Sequence, residues 1–188
     1  MSSRVWLRYR VPLGFLLAAW YLWLARPVSL SLLIFCTTWV TAGCALRSWA
    51  AGYLLKGKRV AVGGPYAYVR NPLYLGSFII GMGFCLALYR DPLPAVTLAL
   101  WAVFLVGFLV VYRAKSMAEE DELGRALGPA YAAYCERVPA FLPLHGRVSG
   151  LGKQRFSREL YRRNHEYQCV LGSLGILLVL FWRVFLGS

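Results

Sequence analysis

Five apolar runs, each near the length of a bilayer-crossing helix, constrain this chain more than any other feature. They cover residues 11–25, 28–46, 73–89, 93–112 and 169–182. A helix rises about 1.5 Å per residue and a hydrocarbon core is about 30 Å thick, so a span takes roughly 20 apolar residues. The first and last runs are short, with Arg10 and Arg26 flanking the first and Arg183 interrupting the end of the last. Their ends call for snorkelling arginines or a slanted, thinned fit. Of 188 residues, 59% are hydrophobic and 15% charged, against roughly 45–50% and about 25% in soluble domains. That balance excludes an ordinary water-soluble domain, and aromatics at 15% exclude a disordered chain. The expected fold class is an all-α integral membrane protein with about five transmembrane helices.

Arg4, Arg8 and Arg10 precede the first run as they would in a signal peptide. Trp20, Tyr21 and Trp23, however, stand where small residues precede a cleavage site, so the run is read as a retained span. The net charge is +13, which in a soluble protein would point to nucleic acid. Here it reads as topology, with no nucleic-acid partner. Eighteen of the 21 basic residues fall before the first run, between the second and third, or between the fourth and fifth, leaving only Arg26, Arg90 and Arg183. By the positive-inside rule the eighteen face the cytosol, of a bacterial inner membrane or an endoplasmic reticulum, and the C-terminus lies opposite.

Seven of the eight acids share that side, and the opposite connections 26–27 and 90–92 are too short to host a site. Chemistry is therefore expected on the cytosolic face, from the stretches 47–71 and 113–167. The runs hold no charged residue, Arg47 standing just at the edge of the second, which argues against a channel or transporter. The five cysteines (Cys36, Cys44, Cys85, Cys135, Cys169) show no CxxC spacing and read as small buried hydrophobes, with no disulfide framework and no metal site.

Two polar stretches carry the candidate chemistry. Gly63-Gly64-Pro65-Tyr66-Ala67-Tyr68-Val69-Arg70-Asn71-Pro72-Leu73-Tyr74-Leu75-Gly76 closes a basic loop (Lys56, Lys58, Arg59) and opens the third run. Pro72 biases Asn71 toward extended backbone, as a helix cap needs, and proline at the first helical position gives up an amide that had no partner. The helix start and Arg70 together favour an anion. The same residues also fit a plain helix start, a glycine-proline turn and an interfacial belt of Tyr66, Tyr68 and Tyr74.

The second stretch runs from Arg113 and Lys115 through Glu119-Glu120-Asp121-Glu122-Leu123, Gly128, Tyr131 and Tyr134 to Arg137-Val138-Pro139 and Phe141-Leu142-Pro143. If the fourth helix continues past Tyr112, Lys115 with Glu119 and Glu122 with Arg125 stand one turn apart as surface pairs. Four consecutive acids beside an anionic leaflet are costly unless they serve a cation.

Together these stretches resemble the integral-membrane methyltransferases that include the isoprenylcysteine carboxyl methyltransferases and phospholipid N-methyltransferases. Residues 64–76 are similar to that family's glycine-proline-tyrosine to arginine-histidine-proline stretch. Glu119-Glu120, Leu123, Gly128, Tyr131, Tyr134, Arg137-Val138-Pro139 and Pro143 are similar to its paired-glutamate segment. The likeness covers roughly residues 28–143. Asn71 stands where the family has histidine; it can cap and donate, but it does not titrate near neutral pH.

The resemblance implies S-adenosylmethionine as methyl donor, S-adenosylhomocysteine as product, and a cytosol-facing pocket that a lipid-like acceptor enters from the bilayer. Tyr66, Val69, Arg70, Asn71, Pro72, Tyr74, Leu75, Arg113, Glu119, Glu120 and Tyr131 are the expected cofactor-binding residues. The acids suit the donor's sulfonium and ammonium, an aromatic face also favours a cation, and Arg70, Asn71 and the helix start suit its carboxylate. Arg70, Arg137 and Glu120 are the expected catalytic residues, with the protein's contribution mostly positioning and water exclusion.

A carboxylate acceptor asks for a cation such as Arg70 or Arg137 to aim it, whereas an ammonium acceptor asks for a base, with Glu120 and Tyr131 as candidates. Residues 1–146 are expected to form the core, and 147–188 an amphipathic interfacial helix followed by the fifth span. Within that addition Lys153, Arg155, Arg158, Arg162 and Arg163 interleave with Leu151, Phe156, Leu160 and Tyr161. They serve as topology anchors or as a clamp on a headgroup phosphate. Tyr134, Arg137, Arg158 and Arg162 are the expected acceptor-binding residues. The sequence leaves open a sterol-type NADPH reductase of related architecture and a non-catalytic lipid-binding protein.

Overall fold

The computed structural model describes residues 16, 18–25, 29–55, 60–89, 93–144, 146–149 and 154–186. Arg4, Arg8, Arg10, Arg26, Lys56, Lys58, Arg59, Arg90, Asp91, Leu151, Lys153 and the start of the first apolar run lie outside them. Among the described residues every regular element is helical. Residues 18–24 form α1, followed by α2 (Leu30–Ala51), a 3-10 turn (Gly64–Ala67), α3 (Pro72–Leu86), α4 (Pro94–Leu127), α5 (Pro129–Arg137), α6 (Arg158–Arg163) and α7 (Tyr167–Leu186).

Three helices, α2, α4 and α7, are long and apolar enough to cross a membrane. Their outward faces carry large apolar side chains such as Ile34, Val103 and Leu178, more than half exposed, as lipid-facing surfaces do. The third run departs from expectation. Its helix, α3, has only 15 residues, about 22 Å of rise, and ends in a turn through Ala87 and Leu88. The fourth run departs the other way. Its helix continues to Leu127 over 34 residues, about 51 Å, so its polar C-terminal half stands clear of any apolar layer and carries the acids.

Helices α2 and α3 run antiparallel at close range, with glycines at the points of approach. A Cβ at Gly43 would lie 2.7 Å from the Gly76 carbonyl oxygen, and one at Gly83 would lie 2.9 Å from the Val40 side chain. Helix α7 closes the core: Leu180 packs with Leu33 and Cys36, and Leu177 packs with Val40 and Ile80. Arg183 does not snorkel outward. Its Nη1 turns inward to the carbonyl oxygens of Leu22 and of Ala25, the latter at 2.9 Å, capping oxygens left free at the end of α1.

The expected amphipathic helix is a single short element. α6 has six residues and buries none of them, and it is fixed at both ends. The Ser157 amide donates to the Gly52 carbonyl at 2.8 Å, and Asn164 Nδ2 donates to the carbonyls of Ala51 and Leu54 at 2.9 and 3.0 Å. The Ala51 carbonyl ends α2, where helical oxygens lack intrahelical partners, and the Leu54 carbonyl lies three residues beyond it.

Candidate functional site

The first polar stretch folds as a buried hook. Gly64 takes φ +56°, a backbone conformation that glycine accepts without steric cost. The following 3-10 turn drops Pro65, Tyr66 and Ala67 into the protein. The Tyr66 ring packs with Ala50 and Ala61, and its carbonyl accepts the Tyr134 hydroxyl at 2.8 Å. Burial, with Tyr134 nearby, pushes the Tyr66 phenol above its ordinary pKa. Val69 is 2% exposed. The hook is then joined to the end of the second stretch by two backbone rungs, Arg70 N to Pro139 O at 2.8 Å and Asn71 N to Ala140 O at 3.1 Å.

This junction brings charged residues from the two stretches together. Arg70 Nη1 lies 3.2 Å from Glu120 Oε1 and donates to Cys135 Sγ at 2.9 Å. Burial works against the guanidinium's charge, but Glu120, and after it Cys135, outweigh burial and hold its pKa above the ordinary value. Its Nε is buried and has no hydrogen-bond partner, a donor left available within the site. Beside Glu120 on α4, Glu119 Oε1 accepts the hydroxyl of Tyr74, from the first turn of α3, at 2.9 Å. Glu119 is thus engaged with α3 rather than paired with Lys115.

Asn71 occupies the cap position of α3, but its side chain makes no capping hydrogen bond and its ψ is 56° rather than extended. Its Nδ2 instead reaches across to α4, to Ser116 Oγ at 3.2 Å and the Tyr112 hydroxyl at 3.5 Å. The physical reason is the partner: Ser116 is buried, and a buried hydroxyl takes a hydrogen-bond partner from the protein. Pro72 is buried and Leu75 half-buried beside it.

An aromatic wall borders this contact. Phe141 lies 4.8 Å from Tyr112, 5.8 Å from Phe78 and 6.0 Å from Phe108, ring centre to ring centre, and Tyr112 meets Tyr74 edge-on at 5.5 Å. Sequence reasoning singled out Tyr74 but not Phe78, Phe108 or Ser116. The spacing of Phe104, Phe108 and Tyr112 along one helix face was the available signal.

Tyr131 is buried with Tyr134 and Val138. Burial first, then Cys135, pushes its phenol above its ordinary pKa, which makes it a poor base near neutral pH.

Four expected residues stand apart from the Arg70 contact. Arg113 is exposed on α4, and Arg137 is exposed and donates to the Ser149 carbonyl. Arg158 and Arg162 line an open cleft of about 470 Å³ with Ser48, Trp49, Phe156 and Tyr161. Sequence reasoning also missed the strongest ion pair. Arg47 Nε and Nη2 reach Glu166 Oε2 and Oε1 at 3.0 and 2.9 Å, and its Nη1 donates to the Leu73 carbonyl at 3.1 Å and to Ser77. Glu166 is 8% exposed. This fork ties α2 and the turn before α7 to the first turns of α3, which bear Tyr74 and Leu75.

No family model and no solved structure matches the chain. It is 32% identical over 108 residues to a nickel-cobalt-cadmium resistance protein, NccN, of Alcaligenes xylosoxydans xylosoxydans. The matched stretch is 55% of this chain and 46% of that protein, so the likeness spans about half of the relative's length.

Proposed function

We propose that this protein is an S-adenosylmethionine-dependent integral-membrane methyltransferase acting on a lipophilic acceptor held in the bilayer. The observation that carries the reading is the 3.2 Å approach of Arg70 to Glu120, between two polar segments that the sequence separates by the whole of α3 and most of α4. Opposite charges, a tyrosine-lined face and an unused buried guanidinium N–H are gathered in one place. That set fits a ligand bearing cationic and carboxylate groups together.

In this reading Glu119 and Glu120, with Tyr74 and Tyr131, receive the sulfonium and ammonium. Arg70, Asn71 and the start of α3 receive the carboxylate, while Tyr66, Val69, Pro72, Leu75 and Arg113 complete the donor side. The cofactor supplies an electrophilic methyl group on sulfur. The chain's own contribution is orientation and exclusion of water, since an in-line displacement needs little acid or base help. Tyr134 acts through the Tyr66 carbonyl it holds, and Arg137 stands on the acceptor side. The asymmetry of basic residues along the sequence supports the cytosolic surface as the side of this end in this reading.

Two acceptor chemistries fit, a prenylcysteine carboxylate and a phospholipid amine. Transfer of labelled methyl from S-adenosylmethionine into extracted lipid, compared with a farnesylcysteine analogue, separates them. Incorporation into neither contradicts the reading.

A second reading takes its support from the relative's name, a role in resistance to nickel, cobalt or cadmium. Among the described residues no three His, Cys, Asp or Glu side chains gather around one point. Growth of a strain lacking this protein on each metal, rescued by the wild type or by Glu120→Gln, tests whether resistance and the Arg70–Glu120 contact belong to one activity.

A further inference from the structure

We infer that the cleft between the end of α2 and α6 is a binding site for an anionic phospholipid of the surrounding membrane, held as a resident lipid apart from the proposed methyl-transfer site. The cleft is lined by Ser48, Trp49, Phe156, Arg158, Tyr161 and Arg162 and shares no lining residue with the Arg70–Glu120 contact.

Arg158, Tyr161 and Arg162 follow the i, i+3, i+4 spacing that puts three side chains on one helix face. Both arginines are exposed, and neither guanidinium has a hydrogen-bonding or ion-pair partner among the described residues. Opposite them, Trp49 and Phe156 are 44% and 45% exposed. Trp49 sits in the last turn of a helix long and apolar enough to cross a membrane, the depth at which headgroups lie and tryptophan is favoured.

Two cations with no acid among the lining residues, facing aromatic surface at that depth, match a phosphate headgroup with its acyl chains alongside. The surrounding contacts fix the walls of the cleft. Ser157 and Asn164 fasten both ends of α6 to backbone carbonyls around the end of α2. The Phe156 ring rests on Gly52 so closely that a Cβ there would lie 2.1 Å from it, and Tyr53 holds the same ring edge-on at 6.0 Å.

The test is native mass spectrometry of the full chain in detergent, titrated with phosphatidylglycerol or with phosphatidylcholine of the same acyl chains. The wild type is expected to retain one phosphatidylglycerol at least tenfold more strongly than phosphatidylcholine. Arg158→Gln with Arg162→Gln is expected to lower that retention about tenfold or more. Arg163→Gln, which removes one positive charge from α6 outside the cleft lining, is expected to stay within twofold of wild type. Soluble glycerol 3-phosphate is not expected to displace the lipid, because it lacks the chains that cover Trp49 and Phe156.

Equal retention of the two lipids, a loss in Arg163→Gln as large as in the double Arg158→Gln, Arg162→Gln variant, or displacement by glycerol 3-phosphate overturns the inference. The readout is lipid retention, so a negative result leaves the methyltransferase reading standing.

Discussion

Arg70 and Glu120 face each other across 3.2 Å, and the geometry around them is asymmetric: the arginine also holds Cys135 and keeps a buried Nε without a partner, while the Glu120 side chain remains about one-third exposed. An arginine so placed is fixed by its surroundings, whereas the carboxylate is free to turn toward a ligand.

A double-mutant cycle between Arg70→Gln and Glu120→Gln, read by chemical unfolding in detergent, is expected to show a coupling of about 1 kcal/mol, the scale of a partly exposed pair. Additive effects would mean that the two side chains do not interact.

The Arg47–Glu166 pair should be worth far more. Glu166→Gln leaves a guanidinium with a neutral partner in a nearly closed site, and a loss of about 3 kcal/mol is expected, the range for breaking one side of a buried pair. Arg47→Met combined with Glu166→Met should recover part of that loss. A Glu166→Gln variant as stable as wild type would show that the pair is not held in solution.

Asn71 is expected to act as a bridge to α4. Asn71→Ala and Ser116→Ala should each lower stability by about 1 kcal/mol, and the double variant should cost little more than Asn71→Ala alone, because the Asn71–Ser116 hydrogen bond is lost in all three. Full additivity of the two losses would return Asn71 to a simple helix start.

Gly43 and Gly107 offer a matched comparison. A Cβ at Gly43 meets backbone of α3 at 2.7 and 2.9 Å, while one at Gly107 meets nothing within 4 Å. Gly43→Ala should therefore destabilise by about 1–3 kcal/mol, and Gly107→Ala should be neutral or slightly stabilising, since alanine is the better helix former. Thermal denaturation of both in the same detergent checks this, and equal effects would contradict the close approach of α2 and α3.

The sequence's local rules reached some of this arrangement and not the rest. Apolar run length located α2, α4 and α7, because membrane insertion is a property of a segment taken alone. Proline at the first helical position set the starts of α3, α4 and α5, again a local matter. The meeting of Arg70 with Glu120 was accessible because charge and motif order placed both stretches at one end of the bundle. Partner choice was not: Asn71 selects Ser116 over its own helix start, and Arg47 finds Glu166 at 119 positions' distance, pairings that exist only once α3 has packed on α4, and α2 on α3 and the turn before α7. The aromatic wall around Phe141 was hidden for a similar reason, since Phe78, Phe108 and Phe141 come from three separate segments.

The most direct measurement is isothermal titration calorimetry of the detergent-solubilised protein with S-adenosylhomocysteine, for wild type and Glu120→Gln, with NADPH as the comparison ligand. Saturable binding of S-adenosylhomocysteine by the wild type is expected, weakened about tenfold or more in Glu120→Gln by loss of a charge-assisted contact, with no binding of NADPH. Undiminished binding in Glu120→Gln, or binding of NADPH in place of S-adenosylhomocysteine, would contradict the methyltransferase reading.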